Sequence, residues 1–254
     1  MKILVFIKQT FDTEEKITID NGKISDQGVT FILNPYDEYA IEEAVVLKET
    51  FGGEITVIAM GHYTEEAIRT ALAMGADKAI VIDDETSEGD EFTVSKVLAA
   101  IAEKETYELI LCGCMSIDNG SAQIGARLAE ELGIPHILTI TKLLIDGNKV
   151  LVEKDAEGDT EIIESHLPIL LTTQQGLNEP RYPSLPGLMK AKKKPIQHVS
   201  VNDLEITLDQ MKAKTIITEQ YLPNKKKAGK ILGGELLQQV KELTAFLQEE
   251  VKVI

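Results

Sequence analysis

The chain has 254 residues and a formal net charge of −16, with 26 basic against 42 acidic side chains. This length fits one large or two small domains, and the acidity argues against nucleic acid as the main partner. No apolar run approaches the ~20 residues that a membrane span needs, so no membrane insertion is expected. The opening MKILVFIK predicts a strand rather than a signal peptide. Two cysteines are too few for a disulfide scaffold, and a cytoplasmic location is therefore expected.

The first two thirds of the chain alternate strand-like and helix-like segments. Apolar runs at 3–7, 54–60, 78–82 and 107–113 predict buried strands. The helix NPYDEYAIEEAVVLKE has Asn34 as its expected N-cap, Pro35 at its first position and Asp37 in its first turn. Another helix is predicted to begin at Thr64 and stop at Gly75, and the segments EFTVSKVLAAIAEKE and GSAQIGARLAEELG predict two more. This alternation indicates an α/β fold with a parallel sheet covered on both faces.

The pattern changes after residue 140. Turn sequences at 146–148 and 157–159 predict antiparallel hairpins. The chain turns polar after Lys194, and the segment YLPNKKKAGKILGG predicts an extended arm. The arm ends in a helix over 235–251 with an apolar stripe at three- and four-residue spacing. The stripe packs either on a partner subunit or on its own domain, and the pattern leaves both open. We expect an α/β nucleotide-binding domain over 1–200 and a C-terminal arm over 201–254.

The most promising ligand site follows the fourth predicted strand, in the segment CGCMSIDNGSAQIG. Parallel sheets bind ligands at the carboxyl ends of their strands, and the small and polar residues here lead into a helix whose free N–H groups favour an anion. The segment matches neither the GxGxxG nor the GxxxxGK[ST] pattern. An ordinary turn remains an alternative on this pattern alone.

Other chemistry is poorly supported. Cys112 and Cys114 lack further ligands at metal-binding spacing, and they are better interpreted as buried strand residues. No histidine lies near a serine or cysteine in a nucleophile motif, so we expect no metal and no catalytic residue. A lysine run at 190–194 lacks the aromatic interleaving of a nucleic-acid site, and it better fits docking on an acidic protein surface.

Several strings resemble the electron transfer flavoprotein β-subunit family: VFIKQTFDTEEKI, LNPYDEYAIEEAVVLKE, IRTALAMGADKAI, LILCGCMSIDNGSAQIGARLAEELGIP and LPILLTTQQGLNEPRYPSLPG. The resemblance covers essentially the whole chain. It implies an adenine nucleotide hydrolase-like fold and a heterodimer with a larger α subunit, which holds most of a shared FAD. It also implies electron transfer from acyl-CoA dehydrogenase-type donors to a membrane-bound electron transfer flavoprotein-quinone oxidoreductase. Ordinary β subunits hold a structural AMP, which is what we expect here.

The resemblance also implies which residues bind the nucleotide. Phe6 is bulkier than the alanine of some relatives, Ala122 lacks the amide that some relatives carry, and Tyr36 matches a position near the flavin ring edge. The implied set is Phe6, Asn34, Pro35, Tyr36, Asp37, Met60, Gly113, Ser116, Asn119, Gly120, Ser121, Ala122, Gln123 and Ile124.

The segment 178–194 matches the family's recognition loop. Leu185 would insert into an apolar pocket of the dehydrogenase, while Pro180 and Pro186 pre-set the backbone and Lys190 and Lys193 steer docking. The alternative is that Leu185 packs into the core of its own loop.

Two other functions remain open. In electron-bifurcating relatives the β pocket carries a second FAD in place of AMP. A nucleotide-sensing module with AMP as its signal is the other alternative, but a sensor has no use for a dehydrogenase anchor.

Overall fold

The computed structural model describes residues 1–61, 65–82, 89–207, 209–224 and 229–252. Thr64, the expected start of one helix, lies outside these residues. The chain forms two compact units, one made of 1–17 and 25–218 and the other of 18–24 and 219–254.

The first unit is built on a sheet that has nine strands within the described residues, in the order β11-β10-β9-β12-β8-β1-β6-β7-β13. In this spatial order, every pairing between neighbours from β9 across to the edge strand β13 is parallel. At the opposite edge, β10 and β11 add antiparallel strands. The predicted parallel sheet with an antiparallel extension is therefore confirmed. The strands are β1 (Lys2–Ile7), β2 (Gln9–Phe11), β3 (Ile19–Asp20), β4 (Lys23–Ile24), β5 (Phe31–Leu33), β6 (Glu54–Met60), β7 (Lys78–Ile82), β8 (Leu109–Gly113), β9 (His136–Asp146), β10 (Lys149–Ala156), β11 (Asp159–His166), β12 (Ile169–Thr173) and β13 (Ile196–Val199).

Helices cover both faces of this sheet, because successive side chains of a strand point to opposite sides. The α-helices are α1 (Pro35–Phe51), α2 (Glu65–Met74), α3 (Glu91–Ala102), α4 (Ile124–Leu132), α5 (Leu185–Ala191) and α6 (Leu236–Phe246). In β1, Ile3 and Val5 pack in the core beneath α1 and α2, whereas Leu4 and Phe6 pack beneath α3 and α4.

The predicted hairpins are present. Gly147 and Gly158 take positive φ angles of 58° and 101° at the two turns, a conformation that glycine adopts without steric cost. The short strands β2 and β5 were not predicted, because three residues are too few for a periodic signal. The seven-residue helix α5 inside the recognition loop was not predicted either, since it is shorter than the window in which helical periodicity can be recognised.

The chain changes direction across the sheet at β1. It passes from β1 to β6 and β7 on one side and then returns to β8 on the other. The carboxyl ends of β1 and β8 therefore border the switch point where ligands of such sheets bind.

The second unit contains the β3–β4 hairpin and the part of the C-terminal arm from 219 to 254. Gln220 Oε1 accepts a hydrogen bond of 2.9 Å from the Ile24 N–H. The expected helix over 235–251 is α6 followed by a π-helical turn, Leu247–Val251. Its stripe is exposed within this chain, with Leu236, Leu237 and Val240 at 75%, 77% and 51% exposure.

Candidate functional site

A cavity of about 300 Å³ lies at the carboxyl ends of β1 and β8, within the first unit. It lies at the lower end of the size range of small-molecule sites. Eleven of the expected nucleotide-binding residues line it: Phe6, Asn34, Asp37, Met60, Gly113, Ser116, Asn119, Ser121, Ala122, Gln123 and Ile124.

Asp37 joins the two strand ends beneath the cavity. Its carboxylate accepts 2.7 and 2.9 Å hydrogen bonds from the backbone N–H groups of Lys8 and Gly113. Burial raises the pKa of Asp37 from 3.8 to about 7, against hydrogen bonds from Lys8, Asn34 and Gly113 that lower it. Because both backbone groups can only donate, the ionised carboxylate is the form that satisfies them. Asp37 is thus a structural tie between β1, α1 and β8.

Asn34 connects the start of α1 to the loop after β8. It is the N-cap residue, as expected, but its side chain makes no capping hydrogen bond. Instead its amide donates to the Met115 carbonyl at 2.9 Å and accepts from the Ile117 N–H at 3.2 Å. The side chain therefore fixes the loop.

Gly113 allows the close approach of β8 to α1. A Cβ at this position would lie 2.4 Å from Asp37 Oδ1, and 2.7 and 2.8 Å from the Cβ and carbonyl carbon of Tyr36. Two of these atoms cannot move without shifting the start of α1.

The loop from 114 to 123 places the start of α4 at the cavity. The Gly120 N–H donates to the Ser116 carbonyl at 2.8 Å, and Ala122 takes a positive φ of 55°. Gln123 precedes α4 without a side-chain cap. An anion at this helix start would meet N–H groups and the positive end of the helix dipole.

Three expected residues lie outside the cavity lining: Pro35, Tyr36 and Gly120. Tyr36 instead accepts a hydrogen bond on its carbonyl from Thr173 Oγ1, at 3.0 Å. Four further lining residues lie in the predicted segment CGCMSIDNGSAQIG but outside the implied set: Cys112, Cys114, Met115 and Gly125. The lining residues that were not predicted are Ile7, Lys8, Gly61, Gly89, Glu91, Val94 and Leu98. Lys8 could have been predicted, because it directly follows a predicted strand. The α3 residues Glu91, Val94 and Leu98 match no local sequence pattern that indicates a ligand site.

The two cysteines line the cavity without forming a metal site. Burial raises the pKa of both the Cys112 and the Cys114 thiols, so both favour the unreactive protonated form. In the described part of the chain, no group of three or more His, Cys, Asp or Glu side chains is arranged to hold a metal ion.

Asp90 ties the α3 wall of the cavity to a distant segment. It caps α3 through the Thr93 N–H, and it accepts 2.7 and 2.8 Å hydrogen bonds from the N–H groups of Lys214 and Thr215. Desolvation raises the pKa of Asp90, but the hydrogen bonds from Thr93, Thr215 and Lys214 together outweigh it and lower the pKa from 3.8 to about 2.

We expect Asp90→Ala to lower the free energy of unfolding by about 1–2 kcal/mol, because an N-cap and a loop tie are lost together. A carboxylate whose pKa is lower in the folded state than in the unfolded state stabilises the folded protein at pH values above the unfolded-state pKa. This stabilisation is lost as the pH falls towards the folded-state pKa. The difference between wild type and variant should therefore be constant above pH ~4 and shrink between pH ~4 and ~2. Urea unfolding at a series of pH values measures it. Asp26→Ala, at an exposed aspartate, is the control, and a difference that did not shrink would contradict the role of the charge.

The base of the recognition loop is fixed to α1. Arg181 forms a paired contact with Glu42 (Nε to Oε2, 2.8 Å) and a second with Glu49 (Nη1 to Oε1, 2.7 Å). The Asn178 amide donates to the Tyr39 carbonyl and to Glu43 Oε2 at 3.1 and 3.0 Å. The hydrogen bonds that Arg181 donates to Glu49 and Glu42 raise the pKa of Arg181, so the guanidinium stays charged.

The far end of the loop is also held. Gly187 lies close to α2, where a Cβ would come within 2.6 Å of the Ala73 carbonyl oxygen. The Lys194 ammonium donates to the Leu72 and Ala76 carbonyls at 2.8 and 2.5 Å, which satisfies free carbonyl groups near the end of α2.

Between these anchors, α5 presents apolar side chains to solvent. Leu185 is 79% exposed, and Met189 and Leu188 are 72% and 42% exposed. Leu185 therefore does not pack into the core of its own loop in this chain. Pro186 lies in the first turn of α5, and Ser184 caps that turn by accepting from the Gly187 N–H at 3.1 Å.

Comparison with known proteins gives one consistent family. The model of the electron transfer flavoprotein domain matches residues 21–204. The electron transfer flavoprotein subunit beta of Bacillus subtilis (strain 168) is 52% identical, and the alignment covers 100% of both chains. The chain belongs to the electron transfer flavoprotein β-subunit family.

More distant members agree. The subunit beta of Syntrophomonas wolfei is 42% identical over 100% of this chain and 98% of its own. That of Bos taurus is 38% identical over 82% of this chain and 84% of its own. As a member of this family, the chain is a component of an electron-transferring flavoprotein, which implies an α-subunit partner. None of the described helices combines the length and the apolar character that crossing a membrane requires.

Proposed function

We propose that this chain is the β subunit of a heterodimer that accepts electrons from acyl-CoA dehydrogenase-type donors and passes them to electron transfer flavoprotein-quinone oxidoreductase. The observation that carries the proposal is the match to electron transfer flavoprotein β subunits over the full length of the chain. A cytoplasmic location and the absence of catalytic residues of its own belong to the same proposal.

The cavity at β1 and β8 would hold AMP in a structural role. Its donors fit a mononucleotide, because the start of α4 offers N–H groups for a phosphate while Phe6, Val94 and Leu98 offer apolar surface for a base. A volume of about 300 Å³ suits a mononucleotide better than the much larger FAD, which disfavours the bifurcating alternative. Filling the cavity would stabilise the meeting point of β1, α1 and β8.

The shared FAD supplies the electron-carrying chemistry when it is bound, mainly by the α subunit. Of this chain's residues, Tyr36 is assigned to the flavin edge by family resemblance. Its position is fixed because Pro35 begins α1 and the neighbouring Asp37 is tied to two strands. At the flavin, the role of the β subunit would thus be to position Tyr36.

The recognition loop, 178–194, would dock the donor dehydrogenase. Its base and its end are fixed by ion pairs and hydrogen bonds, so little conformational entropy remains to be lost when Leu185 binds. Lys190 and Lys193 are both exposed beside it, where they can steer docking on an acidic rim. One exposed leucine supplies a weak, rapidly reversible contact, which suits a shuttle. The presence of a docking loop also argues against the AMP-sensing alternative, because a sensor has no use for a dehydrogenase anchor.

Of the expected C-terminal arm, 201–254, the segment 219–254 belongs to the second unit, and this part would pack on the α subunit. Within the second unit, Leu236, Leu237, Val240 and Leu243 form an exposed apolar stripe on one short helix. Such a stripe is stabilised when another surface removes it from water.

The test is to express the chain with its α partner, denature the purified complex and count the released nucleotides. One FAD and one AMP per heterodimer are expected. Two FADs and no AMP would replace this proposal with the bifurcating type.

A further inference from the structure

Lys8 holds the only positive charge among the described residues that line the cavity. Its backbone is fixed from two sides, since its N–H donates to Asp37 Oδ2 at 2.7 Å and its carbonyl accepts from the Asn34 N–H at 2.9 Å. The side chain therefore starts from a rigid point at the end of β1. The other charged residues in the described lining, Asp37 and Glu91, are acidic.

The Lys8 ammonium is paired with Asp118. The distances from Nζ to the two carboxylate oxygens are 2.8 and 2.7 Å. The lysine side chain is 45% exposed and the aspartate side chain 22% exposed. Of the two residues, Lys8 lines the cavity and Asp118 does not, so the pair lies at the margin of the cavity and not in its interior. Asp118 comes from the loop that leads into α4, and the pair thus connects the end of β1 to the approach of the anion-favouring helix start.

We propose that Lys8 and Asp118 act together as a charge filter, which admits a nucleoside monophosphate to the cavity and disfavours a second phosphate group. This inference rests on the proposed function, because it assumes that the cavity binds a nucleotide of the AMP class.

The argument is a balance of charge. One phosphate near the start of α4 meets the N–H groups of the helix and the Lys8 ammonium, which together offset its charge. A second phosphate would add negative charge beside the Asp118 carboxylate, and the described lining offers it no further cation. Repulsion between like charges at this partly exposed margin would then favour the shorter ligand.

A purely structural role for the pair makes a different prediction. A partly exposed ion pair contributes little to stability, and as a simple tie it would affect the loop without affecting which nucleotide binds. The two roles are separated by the ratio of bound nucleotides, not by their total amount.

The experiment uses the heterodimer. Wild type and variants are equilibrated with equal concentrations of AMP and ADP, and the bound nucleotides are quantified by chromatography after denaturation. We expect wild type to prefer AMP strongly and Asp118→Asn to shift the bound AMP:ADP ratio about tenfold towards ADP, which corresponds to ~1.4 kcal/mol. Lys8→Met should lower the amount of both nucleotides. Asp159→Asn, at an exposed aspartate on the β10–β11 hairpin, should leave the ratio unchanged.

A second variant covers the case in which Asp118→Asn disturbs the loop. The exchange Lys8→Asp with Asp118→Lys keeps an ion pair but reverses its polarity, so a simple tie would leave nucleotide content normal, whereas the filter requires it to fall. A wild-type heterodimer that binds AMP, with an unchanged ratio in Asp118→Asn, would overturn the filter and leave the proposed function standing. A wild type that binds neither AMP nor ADP would overturn both.

Discussion

Replacing Gly113 with alanine is expected to lower the stability of the heterodimer by about 3 kcal/mol and to reduce its AMP content. Overpacking alone costs about 1–3 kcal/mol, and displacing the Gly113 N–H from Asp37 would weaken a hydrogen bond to a buried carboxylate. The new Cβ would meet Tyr36 and Asp37 at under 3 Å, and only a shift of α1 away from β8 can relieve this. That shift would open the base of the cavity.

Thermal unfolding of the heterodimer, followed by nucleotide quantification, measures both effects. For a chain of this size the loss corresponds to a fall in Tm of about 6–12 °C. Gly229→Ala is the control, because a Cβ there would meet no atom within 4 Å. If Gly113→Ala kept wild-type Tm and AMP content, the close approach of β8 and α1 would not be what shapes the site.

Replacing Leu185 with alanine is expected to lower kcat/KM for electron uptake from the dehydrogenase by about tenfold or more. A leucine that becomes fully buried in a partner contributes ~1.5–3 kcal/mol, and each 1.4 kcal/mol is worth about a factor of ten. Because Leu185 is 79% exposed in this chain, the substitution removes little packing within the subunit. Heterodimer assembly, Tm and nucleotide content should therefore stay unchanged.

Flavin reduction by the dehydrogenase, monitored by absorbance at a series of dehydrogenase concentrations, measures this effect. Leu144→Ala, at another leucine that is 54% exposed but lies on β9 opposite Leu151 of β10, should leave uptake unchanged. Arg181→Met provides a second test. It removes the ion pairs that hold the base of the loop to Glu42 and Glu49, and the more mobile loop should slow electron uptake although Leu185 itself is unchanged. Unchanged uptake in Leu185→Ala would exclude this residue as the anchor.

The sequence by itself determined the parallel sheet, the two hairpins and the candidate segment 112–125, which supplies half of the described residues that line the cavity. Continuous apolar runs predict strands that are buried on both faces. The hairpin turns are predictable because Gly147 and Gly158 take positive φ angles, a requirement that depends only on the turn itself. The loop after β8 could be predicted as part of the site because it directly follows a buried strand, and parallel sheets bind ligands at the carboxyl ends of their strands.

Only the tertiary structure decided what surrounds and supports that loop. Glu91, Val94 and Leu98 form a wall of the cavity because α3 packs beside α4. Helical periodicity predicts which side of α3 is buried, but it does not predict which element packs against that side. Arg181 meets Glu42 across 139 residues of sequence, and in an acidic chain no local pattern distinguishes that carboxylate from its neighbours. Asp37 was expected as a ligand contact, yet its oxygens hold two strand ends together. Local sequence specifies backbone conformation and burial, whereas pairings between distant polar groups follow from the topology that burial produces.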